Sequence, residues 1–276
     1  MARPALGSTL KALAVLGFVL WSLAPIAFIV SGSFKLNRDI FAYPPRFFFR
    51  PVLDNYAALF AEWPAFLLSL RSSLVVAGGA TLLTLVVCLL AGYAYSRYRG
   101  RALSASLFFL LLIRMLPPIV ITVPLFPVVN RLGLNDTHLL LVLLYTAFYV
   151  SLGTLIVRTF VDQVPRELDE AAAIDGATPL QVIRAVIAPL VAPGLVAVGI
   201  FTFVFAWNEF TFAFIFSSTR ARTGPLMISE MLGAIDGIRW GVLFAAVTLQ
   251  VVPVVAFVAL LQRYIITGLT AGSVKG

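Results

Sequence analysis

Long stretches without a charged residue alternate along this chain with short polar segments. Charge-free runs at about 12–30, 72–95, 102–129, 139–157, 185–208 and 241–262 predict six helical spans, the third interrupted by Arg114. At 1.5 Å per residue, each reaches the roughly 20 residues that a helix needs to cross a bilayer. The expected fold class is therefore all-α: a polytopic integral membrane protein with six transmembrane helices. Prolines 117, 118, 124 and 127 predict a kink or break in the third span, because proline removes a backbone donor. Two segments on the side away from the termini are substantial. Residues 33–65 are rich in Pro and aromatics and are expected to fold against the membrane surface, and 217–240 carry Arg220, Arg222, Asp236 and Arg239.

One segment breaks the pattern. VDQVPRELDEAAAIDGATPLQVIRAVIAP, 161–189, concentrates Asp162, Glu167, Asp169, Glu170 and Asp175 in fourteen positions, although the whole chain has only 12 acidic residues. Pro165 suits the first position of a helix, and the carboxylates that follow interact favourably with the positive end of its dipole. Leu168, Ala171, Ala172 and Ile174 give it a small apolar surface. Gly176 is placed to end that helix, and Thr178 with Pro179 to cap and start the next. The expectation is a helix, a glycine turn and a second helix leading into span five: a knob whose alanine surface permits close approach by another protein. A slack solvated connection would not need such capping chemistry.

Composition narrows the class. Of 276 residues, 61% are hydrophobic and 12% charged, where a soluble domain has about 45–50% and about 25%. The net charge of +8 is scattered between apolar runs, without a basic block, and reads as membrane topology rather than nucleic-acid binding. Six spans put both termini on one side. The densest short basic loop, SRYRGR at 96–101, falls on that side with Arg3, Lys11 and Lys275, which weakly favours termini inside. The uncharged run from Ala12 to Val30 exceeds a signal-peptide core and is expected to be an uncleaved first span. Cys88 is the single cysteine, so no internal disulfide forms.

Catalytic chemistry is missing from the sequence. There is no GxxxxGK[ST] phosphate loop and no HExxH, and the single histidine, His138, at the edge of span four, lacks the partners of a metal site or a hydrolase. No catalytic and no metal-ligating residues are expected. Polar groups inside spans are costly and are functional candidates by default. Trp207, Asn208 and Glu209 in span five and Gln250 in span six are candidates for a solute pathway, where amide and carboxylate would bond hydroxyls and the indole would stack on a sugar ring. The alternative is that they bond across helices or help bind the partner permease. Arg114 would pair with a carboxylate or extend toward the interface.

The 161–189 segment resembles the EAA loop of ABC importer permeases: Glu-Ala-Ala, three residues, Gly, nine residues, Ile, one residue, Leu-Pro. Here Glu170-Ala171-Ala172 precede Gly176, with Val186 and Ala188-Pro189 at the later positions. AWNEF at 206–210, RMLPP at 114–118, LGLNDT at 132–137 and the ending LQRYIITGLTAGSVKG extend the resemblance over nearly the whole chain, to the carbohydrate-type permeases related to the maltose system. SLRSSLVV at 69–76 departs from it, lacking the Asn often found before the Ser that starts span two.

The resemblance implies a type I ABC importer permease fold over 1–276 as a single transmembrane domain. It also implies an inner-membrane location with both termini cytoplasmic, and a coupling helix at 162–185. In that family two six-span permeases pair, here as a heterodimer, two ATPase subunits bind below, and an extracytoplasmic binding protein delivers the solute. Glu170, Ala171, Ala172, Asp175, Gly176 and Ala177 would form the joint with the ATPase. The chain itself would hold no cofactor, ATP and Mg being bound by the partner subunits, and the solute would be a sugar, oligosaccharide, polyol or related polar compound moved by alternating access. The competing readings are an ABC permease for a non-sugar solute such as a glycerophosphodiester, a secondary transporter driven by an ion gradient, and an intramembrane enzyme.

Overall fold

A computed structural model describes residues 5–235 and 237–272, the last ten as backbone alone; Arg3, Asp236 and Lys275 lie outside the described residues. Fourteen helices follow one another among them: α1 (Ala5–Ser33), α2 (Asn37–Ile40), α3 (Asp54–Glu62), α4 (Phe66–Arg97), α5 (Arg101–Met115), α6 (Pro118–Arg131), α7 (His138–Val161), α8 (Glu167–Ile174), α9 (Pro179–Val182), α10 (Ala188–Leu190), α11 (Ala192–Trp207), α12 (Thr211–Phe216), α13 (Gly224–Leu232) and α14 (Trp240–Gly272). A five-residue π-turn, Ile183–Ile187, joins α9 to α10. No strand occurs among the described residues.

Among the described residues, four helices are long and apolar enough to cross a membrane by themselves, and two bent pairs bring the number to six if each pair is one span. The pairs are α5 with α6, bent by 101°, and Pro179–Leu190 with α11, bent by 82°. Both bends follow from proline. At the first, Leu116 and Pro117 are extended, with ψ of 130° and 139°, because the residue before a proline is sterically driven out of the helical region. Pro124 and Pro127 lie inside α6 without ending it, so the break expected in span three falls at the Pro117-Pro118 pair. At the second, the turn at Val191 is flanked by Pro189 and Pro193, neither of which can donate to the ladder. The same missing donor accounts for the π-turn just upstream.

Several boundaries differ from the charge-free runs, the starts of spans two and five among them. Span two starts at Phe66 rather than 72, since Arg71 sits on an exposed face and does not interrupt the helix. The apolar helix of span five starts at Ala192 rather than 185, the residues between belonging to the bent segment.

The chain divides into two compact units. The first runs to Phe66 and takes in Ile228–Val252. In it the Asn55 amide donates to the carbonyls of Ser33 (2.9 Å) and Lys35 (2.7 Å), tying the end of α1 to α3. Asn37 accepts from the Gly241 N–H at 2.9 Å, and Phe28 packs edge-on against Phe244. Segment 33–65 is thus folded by buried amide bonds, with Tyr43, Phe47 and Phe48 left almost fully exposed.

The second unit holds Leu67–Met227 and α14 from Pro253 onward. α7 is its centre. Gly153 lets α7 approach both α4 and α11; a Cβ there would lie 2.5 Å from Cys88 Sγ and 2.9 Å from Val198. Two clusters build the interior. One gathers Leu141, Tyr145, Phe203, Trp207, Phe212 and Phe216; the other gathers Cys88, Val157, Val161, Ile183, Ile187 and Val198. The second cluster lies at the end of α7 and carries the polar segment after it.

Candidate functional site

The segment from Asp162 to Arg184 is a built elbow. α8 begins at Glu167, with Arg166 as its cap, so Pro165 precedes the helix by two residues instead of opening it. Glu167, Asp169 and Glu170 occupy its first turn. Gly176, with φ +83°, ends it: the Gly176 N–H donates to Ala173 O and the Ala177 N–H to Ala172 O, both at 3.0 Å. This crossed pair satisfies the last carbonyls and needs a residue that tolerates the left-handed region. The Thr178 side chain then accepts from the Gln181 N–H, while the Gln181 side chain accepts from the Thr178 N–H, and Pro179 takes the first helical position.

Burial sorts the six expected joint residues into two sets. Glu170, Ala171, Asp175 and Gly176 are exposed. Ala172 and Ala177 are half-buried against the cluster of Val161, Ile183 and Ile187, so they hold the elbow onto the bundle and do not belong to its outer face. That outer face has instead three large apolar side chains in water, Leu168 (41% exposed), Ile174 (86%) and Leu180 (65%), among the carboxylates. An apolar surface rimmed by charge on so small a knob is the signature of a protein contact.

Arg97, at the end of α4, fastens the elbow. Its Nε donates to Asp169 on α8 at 2.5 Å, and its Nη groups donate to the carbonyls of Val161 (3.2 Å) and Val164 (2.9 Å). Both side chains of the pair are largely buried. Alongside, Ser96 donates to Asp162 at 2.5 Å, and Arg166 donates to the Ser96 carbonyl at 3.1 Å. One short stretch at the end of α4 therefore grips the end of α7, the turn and α8. In the sequence Arg97 was visible only as a topology charge; the signal for its role was an arginine ending a span opposite an acidic cluster.

The pathway candidates differ in burial and in partners. Trp207 is 1% exposed and stacks on Phe203 with ring centroids 5.8 Å apart, so in this conformation it presents no face to a sugar. Its register on α11 points it into the bundle, which the polar neighbours in AWNEF concealed. Glu209 is half-buried and caps α12, accepting from the N–H groups of Phe212 at 3.0 Å and Ala213 at 3.4 Å. Asn208 is exposed and donates to the Val204 carbonyl at 2.7 Å. Gln250 is buried on α14. Arg114 pairs with no carboxylate among the described residues; its guanidinium lies 6.0 Å from the Phe148 ring centroid, and its Nη1 is buried without a hydrogen bond. His138 exchanges a 2.9 Å hydrogen bond with Ser72.

At the opposite end from the elbow, Asp136 of LGLNDT makes a knot. With φ +57°, it turns its carboxylate into the 217–221 loop and accepts from the N–H groups of Ser218, Thr219, Arg220 and Ala221 at 2.9–3.1 Å, and from the Thr219 hydroxyl at 2.7 Å. Partial burial alone would raise its pKa, but these bonds to the charged form outweigh it and hold the carboxyl well below the usual range.

Comparisons with known proteins bear on the family and the fold. Residues 84–270 match the profile of the family described as binding-protein-dependent transport system inner membrane component. The chain is 34% identical, over a 276-residue alignment covering 96% of it and 97% of the relative, to the trehalose/maltose transport system permease protein MalG of Thermococcus litoralis. It is 34% identical over 272 residues to the sulfoquinovosyl glycerol transport system permease protein SmoH of Agrobacterium fabrum, covering 98% of this chain and 95% of that one. Among solved structures, a bacterial ABC transporter involved in the import of the acidic polysaccharide alginate superposes with a TM-score of 0.77 at 19% identity, over 96% of this chain and 99% of that one.

Proposed function

Because the chain belongs to the inner membrane components of binding-protein-dependent transport systems, the permease subunits of ABC importers, we propose that it carries a sugar or a closely related polar solute across the cytoplasmic membrane. The similarity of the full chain to permeases named for trehalose, maltose and sulfoquinovosyl glycerol supports that solute class. An extracytoplasmic binding protein delivers the solute, and a second six-span permease completes the path as a heterodimer. Two ATPase subunits, which hold the ATP and Mg, drive it. Both termini and the elbow face the cytoplasm.

The observation that carries the mechanism is the elbow: an exposed apolar face on α8 and α9, behind it a buried ion pair to α4 and an apolar seat under α7. A force applied at Ile174 or Leu180 passes into α4 through Arg97–Asp169 and into the bent segment through Ile183 and Ile187. Closure of the ATPases then re-orients the spans, and the bends at Pro117 and Val191 let half-helices move separately. Trp207 and Gln250 act in this reading by holding the bundle together, and Asn208 remains the candidate within reach of a solute.

The test is gentle extraction of the chain from its own membranes, with every co-purifying protein identified by mass. An ATPase with a phosphate loop and a second six-span permease are the expected companions, and the binding protein can then be screened for sugar ligands. A chain recovered alone in several mild detergents, with uptake that collapses with an ion gradient and not with ATP, would sink the proposal.

A further inference from the structure

Beside the elbow lies a cavity of about 580 Å³ between the end of α4, the start of α5 and the end of α7. Three arginines line it, Arg99, Arg158 and Arg166, against one acidic residue, Asp162. That carboxylate is already engaged: Oδ1 accepts from Ser96 at 2.5 Å, and Oδ2 lies 3.6 Å from Arg158 Nε. Arg158 Nε is buried without a hydrogen bond, and Arg99 has neither an ion pair nor a hydrogen bond among the described residues. With Asp162 paired to Arg158, the exposed guanidinium groups of Arg99 and Arg166 have no carboxylate partner among the described residues, and the net positive charge around the cavity favours a bound anion.

Two further features define the anion's chemistry. Gly100, Leu103 and Ser104 bring the first turn of the 15-residue α5 to the cavity, and Gly100 supplies no side-chain cap to that turn. Leu103 and Leu107, which line the cavity, continue at the same helical spacing into Leu111 and Met115, the last two 39% and 79% exposed. A basic cup at the foot of a helix, next to an apolar stripe along it, matches a phosphate group carrying acyl chains. We propose that this cavity binds the phosphate headgroup of an anionic phospholipid, its acyl chains lying along α5. Because Arg166 also grips Ser96 and adjoins α8, the bound lipid braces the elbow against the bilayer. The proposal rests on the importer reading only for the leaflet it assigns, the cytoplasmic one.

Native mass spectrometry of the full complex, exchanged into nanodiscs of phosphatidylcholine with added phosphatidylglycerol, tests it. Wild type is expected to retain phosphatidylglycerol selectively. Arg99→Gln, which breaks no bond in the fold, should weaken retention about fivefold, matching the ~1 kcal/mol that one basic side chain near a membrane surface contributes; Arg99→Glu should weaken it further. Arg131→Gln, an exposed arginine at the other end of the spans, should change nothing. Equal loss in Arg131→Gln, or equal retention in all variants, overturns the site. Displacement by inorganic phosphate without headgroup selectivity assigns the cup to soluble phosphate and overturns the lipid. Loss of the ATPase instead of the lipid in Arg99→Gln makes the cavity part of the protein joint and also overturns it. Selective lipid retention by a chain that recruits no ATPase would leave this site standing while the importer reading fell.

Discussion

Arg97 sends one nitrogen to Asp169 and the others to the carbonyls of Val161 and Val164, so a single side chain neutralises a buried carboxylate and satisfies the end of α7. Removing one member of such a pair leaves the other uncompensated, which costs on the order of 3 kcal/mol. Arg97→Ala is expected to lower the melting temperature of the purified permease and to abolish uptake. Arg97→Lys should recover part of the stability but less of the transport, since an ammonium cannot replace the planar fork; full transport by Arg97→Ala would remove the residue from the joint. Asp136 is the second such residue. Its folded-state pKa is depressed, so its contribution is fully present above the unfolded carboxylate value near 3.9 and is lost as pH falls through the lower folded value. Over pH 5–8 the knot is expected to be constant. Asp136→Asn should loosen the 217–221 loop by about 1 kcal/mol at neutral pH, read as faster limited proteolysis there; unchanged protection would deny it a clamping role.

Among the elements, α8 and its turn are local in origin and tertiary in orientation. Capping chemistry in sequence foretold the helix, the glycine stop and the restart at Thr178, because each depends on residues within four positions of one another. The alanine face was legible as apolar, but which alanines pack inward was not, since Ala172 and Ala177 meet Val161 and Ile183 only once α7 has folded beside them. Gly176→Ala places a Cβ at φ +83°, costing about 1 kcal/mol, and Ala172→Asp drives a carboxylate into the seat of the elbow. Both variants are expected to insert normally and to hydrolyse ATP without uptake when assayed with the partner ATPases in vesicles. Wild-type uptake in both would refute coupling through this element. The two bends show the same division. Prolines announced the break in span three but not the bend at Val191, and the angles of 101° and 82° depend on what each half-helix packs against.

For the whole molecule, orientation is the property to measure first. Cys88 is buried, so a Cys88→Ala background carrying Ile174→Cys has one exposed thiol on the elbow. A membrane-impermeant maleimide is expected to label it in inside-out vesicles, and added ATPase to protect it; labelling from outside intact cells would reverse the topology. The number of apolar runs, their order and the capped elbow follow from sequence alone, because run length and helix capping are set by neighbours along the chain. Tertiary structure alone decided where the polar side chains point. Trp207 stacks on Phe203 instead of facing a pathway, Glu209 caps α12, and Arg97 and Asp136 each bind partners more than sixty residues away. Such pairings depend on helix register and on which helices become neighbours, and neither is written in the periodicity of spans that are apolar on nearly every side.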